Sequence, residues 1–392
     1  MSDKLRILVV NRALGTLFGG GETFDLNAAR YLTKRGHGVT VITAKPLLRR
    51  PLKYPNINVV YMLSPNLRRY AYLSERINRK LSAVIYHLDN WLFERQVFNW
   101  LSTREQYKRF DVIQCCSLFR LPRWVLSNWR LPVVSWLPGP PSGLARKAIM
   151  KLVSHPNFAL FTHGAPVEVL KRMGLEPEKD FFVVEPGIEL AVVDSAKANR
   201  EELKRSLKIA DDALIGITVA RLVPVKNISF LIRGLALALN KGVNYHWLII
   251  GDGPEKEKLK QLGQKLGVSS NIHFLGYRPN AEVHQLLAAS DVYALTSTYE
   301  NFSISTLEAM AHKLPVIAAE VGYLQAMVKE SGAGILVPSN DENALANALV
   351  KLASEDALRH ELGNRGRKYA ERFDWSVIVK KLEKAYEHVI QK

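Results

Sequence analysis

The chain has 392 residues, 47% of them hydrophobic and 23% charged, which suffices for two globular domains with separate cores. It contains no run of 18 apolar residues, and its N-terminus leads directly into an apolar run at 5–10, so neither a membrane-spanning helix nor a signal peptide is predicted and a cytoplasmic location is favoured. The net charge of +17 is concentrated in residues 1–190, where 28 Lys and Arg stand against 14 Asp and Glu, so this half should attract an anionic surface or substrate.

In residues 1–190, short apolar runs alternate with segments of helical periodicity. The runs that predict strands are 5–10, 39–43, 57–62, 111–115, 132–136, 158–162 and 181–184. The segments that predict helices between them are 22–35, 72–100, 121–129 and 165–173. Strands and helices that alternate in this way indicate a parallel sheet with helices on both faces.

The same alternation begins again after residue 198. Helices are predicted at 199–207, 227–241 and 254–266, and strands at 214–219, 246–250, 272–275, 292–295, 315–318 and 334–337. The restart predicts an α/β protein with two doubly wound domains, 1–190 and 191–374, joined by a linker at 191–198. Such sheets bind ligands at the carboxyl ends of their strands, so we expect a ligand between two domains that face each other across a cleft. Residues 375–391 predict a final helix with one buried face.

Residues 300–311 carry the strongest chemical signal. Glu300 is expected in a loop and Glu308 on the helix that follows, where both carboxylates can face one cleft and accept hydrogen bonds from sugar hydroxyls. The amides of residues 301–303 would lie at the N-terminus of that helix, which favours a phosphate. A solvated loop glutamate followed by an ordinary helix glutamate explains the same spacing equally well.

A second segment, residues 219–227, follows a predicted strand and opens a helix. Its Arg221 and Lys226 can bind a diphosphate, Arg through paired hydrogen bonds and Lys as a point charge. A reaction that expels a nucleoside diphosphate needs such cations, because negative charge grows on the leaving group. Nowhere in the sequence are two aspartates separated by one residue, so fixed cations are predicted in place of a metal.

Two glycine turns follow predicted strands, at residues 19–21 and 251–253. Gly20, Gly21, Gly251 and Gly253 allow the backbone to approach a phosphate or a sugar closely, with a helix N-terminus behind them. Each turn alone also fits an ordinary strand-to-helix connection, which is common.

Together these segments resemble the GT-B glycosyltransferases, in particular the large retaining group often called family 4, over essentially the whole chain. The motifs that carry the resemblance are Gly19-Gly20-Gly21-Glu22, residues 32–41, Ala220-Arg221-Leu222 through Lys226-Asn227, Gly251-Asp252-Gly253-Pro254, Phe274-Leu275-Gly276-Tyr277, Ser290-Asp291-Val292, and Glu300 with Glu308. The resemblance implies two Rossmann-like domains, an N-terminal one for the acceptor and a C-terminal one for the nucleotide sugar. It also implies that the helix at 375–392 packs back on the N-terminal domain.

The resemblance further implies a role for each matching position. Arg221 and Lys226 would contact the donor diphosphate, and Glu300 would bind the hydroxyls of the donor sugar. Tyr277 and Arg278 would lie near the base, and Glu308 would bind the ribose. The other implied donor-binding positions are Gly20, Gly21, Gly251, Gly253, Asn301, Phe302 and Ser303. Retention of the anomeric configuration is implied as well, by front-face attack in which the leaving phosphate helps to deprotonate the acceptor.

One departure from the family concerns a histidine that many relatives carry after the strand that matches residues 133–136. Residues 137–141 of this chain are Leu-Pro-Gly-Pro-Pro, without a histidine, so the role of that histidine cannot be assigned to this segment. His163, after the strand candidate 158–162, is a candidate substitute on the acceptor side. A histidine with a purely structural role fits the position as well.

Residues 66–110 hold nine Lys and Arg against four Asp and Glu, with aromatic residues between them. The apolar residues on one helical stripe are Leu73, Ile77, Leu81, Val84, Leu88 and Leu92. Two interpretations fit: a helix packed on the core with a solvated basic back, or a patch that binds an anionic membrane near a lipid-linked acceptor. The cations that add to this basic field are Lys45, Arg49, Arg50 and Lys53.

The residues and the resemblance together imply a retaining, metal-independent glycosyltransferase that moves a hexose from a UDP- or GDP-sugar to a glycan or lipid-linked acceptor, in cell-surface polysaccharide or glycolipid synthesis. We expect the donor, the acceptor and the inner face of an anionic membrane as partners, with no cofactor and no nucleic acid. The alternatives are a GT-B protein that only binds or epimerises a nucleotide sugar, and a basic nucleic-acid-binding protein. The last lacks any RNA-binding or helix-turn-helix signature in this sequence.

Overall fold

The computed structural model describes residues 4–14, 20–45, 56–63, 79–116, 120–137, 139–141 and 143–391. The chain forms two compact units, of which unit 1 comprises residues 1–186 and 375–392 and unit 2 comprises residues 187–374. The sequence analysis divides the domains at residue 190, close to this boundary. Each unit contains one parallel sheet.

Unit 1 is built on a sheet of seven strands with helices in the connections. The strands are β1 (Arg6–Val10), β2 (Gly38–Ala44), β3 (Asn58–Met62), β4 (Val112–Cys116), β5 (Val133–Leu137), β6 (Phe158–Thr162) and β7 (Phe181–Val183). The first helices are α1 (Gly20–Lys34), α2 (Arg79–Ser102), α3 (Arg120–Asn128), α4 (Leu144–Val153) and α5 (Ala165–Arg172). All strand pairs are parallel, in the order β3-β2-β1-β4-β5-β6-β7.

Unit 2 is built on a second parallel sheet, of six strands. The strands are β8 (Leu214–Val219), β9 (Tyr245–Ile250), β10 (Ile272–Gly276), β11 (Val292–Leu295), β12 (Val316–Ala319) and β13 (Gly334–Val337). The helices are α6 (Leu190–Ser195), α7 (Arg200–Leu207), α8 (Ile228–Asn240), α9 (Lys256–Lys265), α10 (Asn280–Ala288), α11 (Ile304–Ala311), α12 (Gly322–Ser331), α13 (Glu342–Ser354) and α14 (Asp356–Ala370). The strand order is β10-β9-β8-β11-β12-β13.

The last helix, α15 (Trp375–Ile390), packs within unit 1 against α1, β5, β6 and β7. The Trp375 ring lies 5.4 Å from that of Phe24, and Glu383 pairs with His37 at 2.9 Å. The Tyr386 hydroxyl donates a hydrogen bond to Gln114 on β4, inside the sheet. A continuous buried face with these polar anchors attaches the end of the chain to the first unit.

Both sheets reverse their strand order next to their first strand, between β1 and β4 in unit 1 and between β8 and β11 in unit 2. In a parallel sheet both faces are covered by helices, and the strands are accordingly apolar runs, fully buried in β5 and β6. The predicted fold class, two doubly wound parallel-sheet domains, is confirmed. A reversal point opens a crevice at the carboxyl ends of its two strands, where ligands of such folds bind.

A few elements differ from the sequence-based predictions. Residues 190–195 form α6, with Val193 buried, where the sequence analysis predicts a linker at 191–198. The helix was not predicted because six residues are too few to show a helical period. Helix α4 has no counterpart among the predicted elements. The first seven residues of the helix predicted at 72–100 lie outside the described residues, as do Arg49, Arg50 and Lys53. Within the described ranges, no helix has both the length and the apolarity needed to span a bilayer.

Candidate active site

The reversal point of unit 2 brings together two loops that carry predicted site residues. One loop follows β8 and contains Arg221 and Lys226, and the other follows β11 and contains Glu300. Strands β8 and β11 are neighbours in the sheet although residues 226 and 300 are 74 positions apart. The carboxyl ends of both strands therefore place a cation and a carboxylate at one edge.

Lys226 and Glu300 form a close ion pair. Lys226 Nζ lies 2.5 Å from Glu300 Oε2, and the two side chains are only 17% and 11% exposed. Ser297 Oγ donates to the same carboxylate oxygen at 3.3 Å. A pair this poorly solvated has a stronger mutual attraction than a surface pair, because the local dielectric constant is lower. The arrangement offers a positive and a negative group side by side to a ligand that carries both phosphate and hydroxyls.

Hydrogen bonds between the two loops fix the distance between Lys226 and Glu300. The Thr298 amide donates to the Val225 carbonyl at 2.8 Å, and Thr296 Oγ1 donates to the Asn227 carbonyl at 3.0 Å. Asn227 has a left-handed backbone, with φ of +47°. This conformation turns the chain from the loop after β8 into helix α8. These bonds flank both functional side chains, so the loops that carry the ion pair are joined to each other on either side of it.

The first turn of α12 supports the backbone of Glu300. The Tyr323 amide donates to the Glu300 carbonyl at 3.2 Å. The adjacent Gly322 has φ of +47°, and a Cβ atom built on it would lie 2.5 Å from the same carbonyl oxygen. Only glycine combines this backbone angle with such a close approach. Gly322 is thus a site-forming residue that the sequence analysis missed, for no motif in the sequence connects it to Glu300.

Residues 301–303, predicted to line the donor pocket, lead into α11. Ser303 is the N-cap of this helix, and its Oγ accepts hydrogen bonds from Thr306 N at 3.3 Å and from Thr306 Oγ1 at 2.7 Å. Phe302 is buried and stacks on the Tyr323 ring at 5.4 Å, while Asn301 is half-buried. Phe302 and Ser303 therefore have structural roles in shaping the helix entrance, and their contact with a donor stays a prediction.

Arg221 and the glycine turn at 251–253 lie next to each other. A Cβ atom on Gly251, whose φ is +128°, would lie 1.9 Å from the Ala220 carbonyl oxygen, and one on Gly253 would lie 2.3 Å from the Leu222 carbonyl oxygen. Both glycines are thus required for backbone packing against the loop that carries Arg221. Arg221 itself is exposed and makes no ion pair with a residue that the structure describes. Its guanidinium is available to an anionic ligand.

Tyr277 and Arg278, expected near the base, follow β10 at the same end of the sheet. Tyr277 is 66% exposed, and Arg278 pairs with Glu282 at 3.5 Å. A largely exposed ring can stack on a planar base, and contact of Tyr277 and Arg278 with a donor stays a prediction.

Glu308 lies on α11, one turn beyond its cap. Its carboxyl group is 16% exposed, and burial raises its pKa to about 7. His284 on α10 lies close to it, with Nε2 3.9 Å from Glu308 Oε1. His284 in turn lies 3.0 Å from His312, between His284 Nδ1 and His312 Nε2. In the described ranges no group of three His, Cys, Asp or Glu residues, this one included, has an arrangement suited to a metal ion. The sequence analysis missed both histidines.

The remaining predicted residues belong to unit 1. Gly20 and Gly21 are the first residues of α1, and Gly19 lies outside the described residues. His163 follows β6 and is buried, with its ring 5.9 Å from that of Trp136, and burial lowers its pKa to about 4. A neutral, buried imidazole of this kind is typical of a structural histidine, the second of the two interpretations of His163.

Comparison with known proteins places this geometry in a family. Residues 199–369 match the family model described as Glycosyl transferases group 1. The D-inositol 3-phosphate glycosyltransferase of Corynebacterium efficiens is 30% identical over 286 residues, which cover 67% of this chain and 67% of that protein.

Solved structures show the same architecture over the full length. A glycosyltransferase from Rickettsia africae has a TM-score of 0.77 at 18% identity and covers 100% of both chains. The Anabaena protein HepE, solved in complex with UDP-glucose, has a TM-score of 0.70 at 20% identity and covers 97% of this chain and 98% of its own. The chain therefore belongs to the glycosyl transferases group 1 family, and it is a glycosyltransferase with the GT-B fold.

Proposed function

We propose that the protein moves a hexose from a UDP- or GDP-sugar to a glycan or lipid-linked acceptor with retention of configuration and without a metal. The observation that carries this proposal is the Lys226–Glu300 pair at the reversal point of the unit 2 sheet. Further support comes from the family, from a structural neighbour solved with UDP-glucose and from relatives named for glycosyl transfer to an inositol phosphate.

In the proposed reaction, the donor diphosphate binds to Lys226 and to the exposed guanidinium of Arg221. Lys226 then divides its charge between phosphate and Glu300, so that the Glu300 carboxylate accepts hydrogen bonds from the donor sugar. The bond between the anomeric carbon and the diphosphate oxygen breaks, and its electron pair stays on the oxygen that the two cations stabilise. The acceptor oxygen bonds to the anomeric carbon on the same face and passes its proton to that phosphate oxygen.

A donor screen tests this proposal. We expect one nucleotide diphosphate hexose, among UDP- and GDP-sugars, to raise the melting temperature, because it binds only the native protein. With a glycan or lipid-linked acceptor present, the same donor should yield a product of unchanged anomeric configuration, with activity retained after chelation of divalent ions. Donor epimerisation or hydrolysis without transfer would favour the alternative GT-B functions, and activity abolished by the chelator would refute the metal-independent mechanism.

We propose in addition that unit 1 meets an anionic membrane at the inner face, consistent with an acceptor used in cell-surface polysaccharide or glycolipid synthesis. Helix α2 exposes Val84, Leu88 and Trp91, spaced by four and three residues, and Leu63 lies beside it through a hydrogen bond from Gln96 to the Leu63 carbonyl. Residues 1–190, which include this stripe, carry a net charge of +14. An apolar helical face in a basic field is typical of interfacial binding to acidic lipid.

Leu88→Glu is expected to weaken binding to mixed phosphatidylglycerol and phosphatidylcholine vesicles about fivefold, as measured by co-sedimentation, because it places a charge in the apolar stripe. Met150→Glu on α4 is the matched control, since Met150 and Leu88 are 44% and 48% exposed. The control should bind like the unsubstituted protein. Equal binding of the unsubstituted protein to acidic and to purely phosphatidylcholine vesicles at low salt would contradict the membrane proposal.

A further inference from the structure

Two hydrogen-bond donors converge on one oxygen of the Glu300 carboxylate. Lys226 Nζ lies 2.5 Å from Oε2, and Ser297 Oγ lies 3.3 Å from the same atom. In the part of the chain that the structure describes, no group donates a hydrogen bond to the other oxygen, Oε1. The side chain is only 11% exposed, and a carboxylate oxygen so far removed from water loses free energy unless a donor reaches it. Glu300 therefore offers Oε1 to a hydroxyl group of a ligand.

Ser297 is fixed in a position that holds this orientation. Its side chain is fully buried, and its single hydroxyl hydrogen is donated to Glu300. Its neighbours Thr296 and Thr298 each hydrogen-bond to the loop after β8, at 3.0 and 2.8 Å. The Ser297 hydroxyl is thus held close to an anchored backbone, whereas the Lys226 ammonium group lies at the end of a flexible four-carbon chain.

Lys226 and Ser297 should respond differently to a bound diphosphate. The ammonium group carries a charge and three hydrogens, so a phosphate attracts it and shares it with Glu300. The Ser297 hydroxyl is neutral and has one hydrogen, so the phosphate exerts no comparable attraction on it. Ser297 then remains the group that fixes Oε2 and, because a carboxylate is planar, the direction of Oε1.

We propose that Ser297 is a positioning residue for Glu300: by holding Oε2, it directs Oε1 toward a hydroxyl group of the hexose that is transferred. The inference rests on the proposed function, in which Glu300 binds the donor sugar. Since Ser297 is fully buried, it acts through Glu300. Its loss should therefore weaken the binding of the hexose and leave the binding of the diphosphate unchanged.

Calorimetry with UDP, UDP-glucose, GDP and GDP-mannose tests the proposal. The measured quantity is the Kd of the free nucleotide divided by the Kd of the nucleotide sugar with the same base. Ser297→Ala should lower this ratio about fivefold, less than the full effect of a hydrogen bond to a charged group because Ser297 acts indirectly. The Kd of the free nucleotide should change less than about twofold, because Lys226 and Arg221 still bind the diphosphate.

Ser290→Ala is the matched control. Ser290 is 8% exposed, and its hydroxyl donates to the Leu286 carbonyl at 2.7 Å at the end of α10, so its loss should keep the full ratio. Ser297→Cys, whose thiol is a weak donor of nearly the same shape, should also lower the ratio and replaces Ser297→Ala if that variant does not fold. In Glu300→Gln protein, Ser297→Ala should have little further effect on the ratio, because a residue that acts through Glu300 needs its carboxylate.

The outcomes separate this inference from the proposed function. An unchanged ratio in folded Ser297→Ala or Ser297→Cys protein, or an equal weakening of nucleotide and nucleotide sugar, overturns the role of Ser297. Fully additive effects of Ser297→Ala and Glu300→Gln overturn it as well. Failure of the unsubstituted protein to bind any of the four ligands contradicts the proposed function itself.

Discussion

Lys226→Met is expected to lower kcat/KM for glycosyl transfer about 10²–10³-fold, the usual effect of removing one group that stabilises transition-state charge. The substitution removes one cation of the proposed diphosphate site, which is also the ion-pair partner of Glu300, and the Glu300 carboxylate keeps the hydrogen bond from the Ser297 hydroxyl. Arg221→Ala and Glu300→Gln should each reduce the rate severely as well. Steady-state kinetics with the identified donor, alongside circular dichroism to verify folding, measures the effect.

The ion pair also predicts how the two substitutions combine. Because Lys226 and Glu300 act on one ligand and contact each other, the double variant Lys226→Met/Glu300→Gln should lose far less activity than the product of the single losses. Lys256→Met is the control, since Lys256 pairs with Asp252 at 3.4 Å at the same end of the sheet, and it should retain activity within a few-fold. Near-normal rates in all single variants at Arg221, Lys226 and Glu300 would refute the site.

Gly322→Ala should impair both stability and catalysis. A methyl group at this position would lie 2.5 Å from the Glu300 carbonyl oxygen, so the loop that carries Glu300 must move. We expect the free energy of unfolding to fall by about 2–4 kcal/mol from left-handed strain and overpacking together. A displacement of about 1 Å at the site costs roughly 10²-fold in rate, and kinetics at a temperature where the variant is folded measures it.

Gly143→Ala is a closely matched control for this substitution. Gly143 has φ of +49° against +47° for Gly322, but no atom lies within 4 Å of a Cβ built on it. Both alanine variants place a side chain at a similar positive φ, and only Gly322→Ala adds the collision with the Glu300 carbonyl. Equal activity of the two variants would show that the contact between α12 and the Glu300 loop does not position the site.

Local features of the sequence predicted most of the fold. Strands such as β8 and β11 are predicted to within a residue, because a buried parallel strand is a short apolar run and its flanking helices have a different period. Helix α6 escaped prediction, because six residues make less than two turns. Side-chain periodicity reports only the local conformation of the chain.

The candidate site was predicted in part. Residue type and motif selected Arg221, Lys226, Glu300 and Glu308. The first three lie in the two loops at the reversal point of the unit 2 sheet, where Lys226 and Glu300 form an ion pair. The sequence did not indicate that Gly251 and Gly253 pack against the Arg221 loop, nor that Phe302 is buried, because these contacts join segments remote in sequence.

By itself, the sequence determined the succession of strands and helices, the repetition of that succession and the charged residues available for chemistry. The tertiary structure decided which of those residues meet. Lys226 and Glu300 are 74 positions apart and touch only because β8 and β11 are adjacent, and His284 on α10 comes within 3.9 Å of Glu308 on α11 only in the folded unit. Strand order and helix packing arise from burying apolar surface over the whole unit, and no local pattern of residues encodes the polar pairs that this burial brings together.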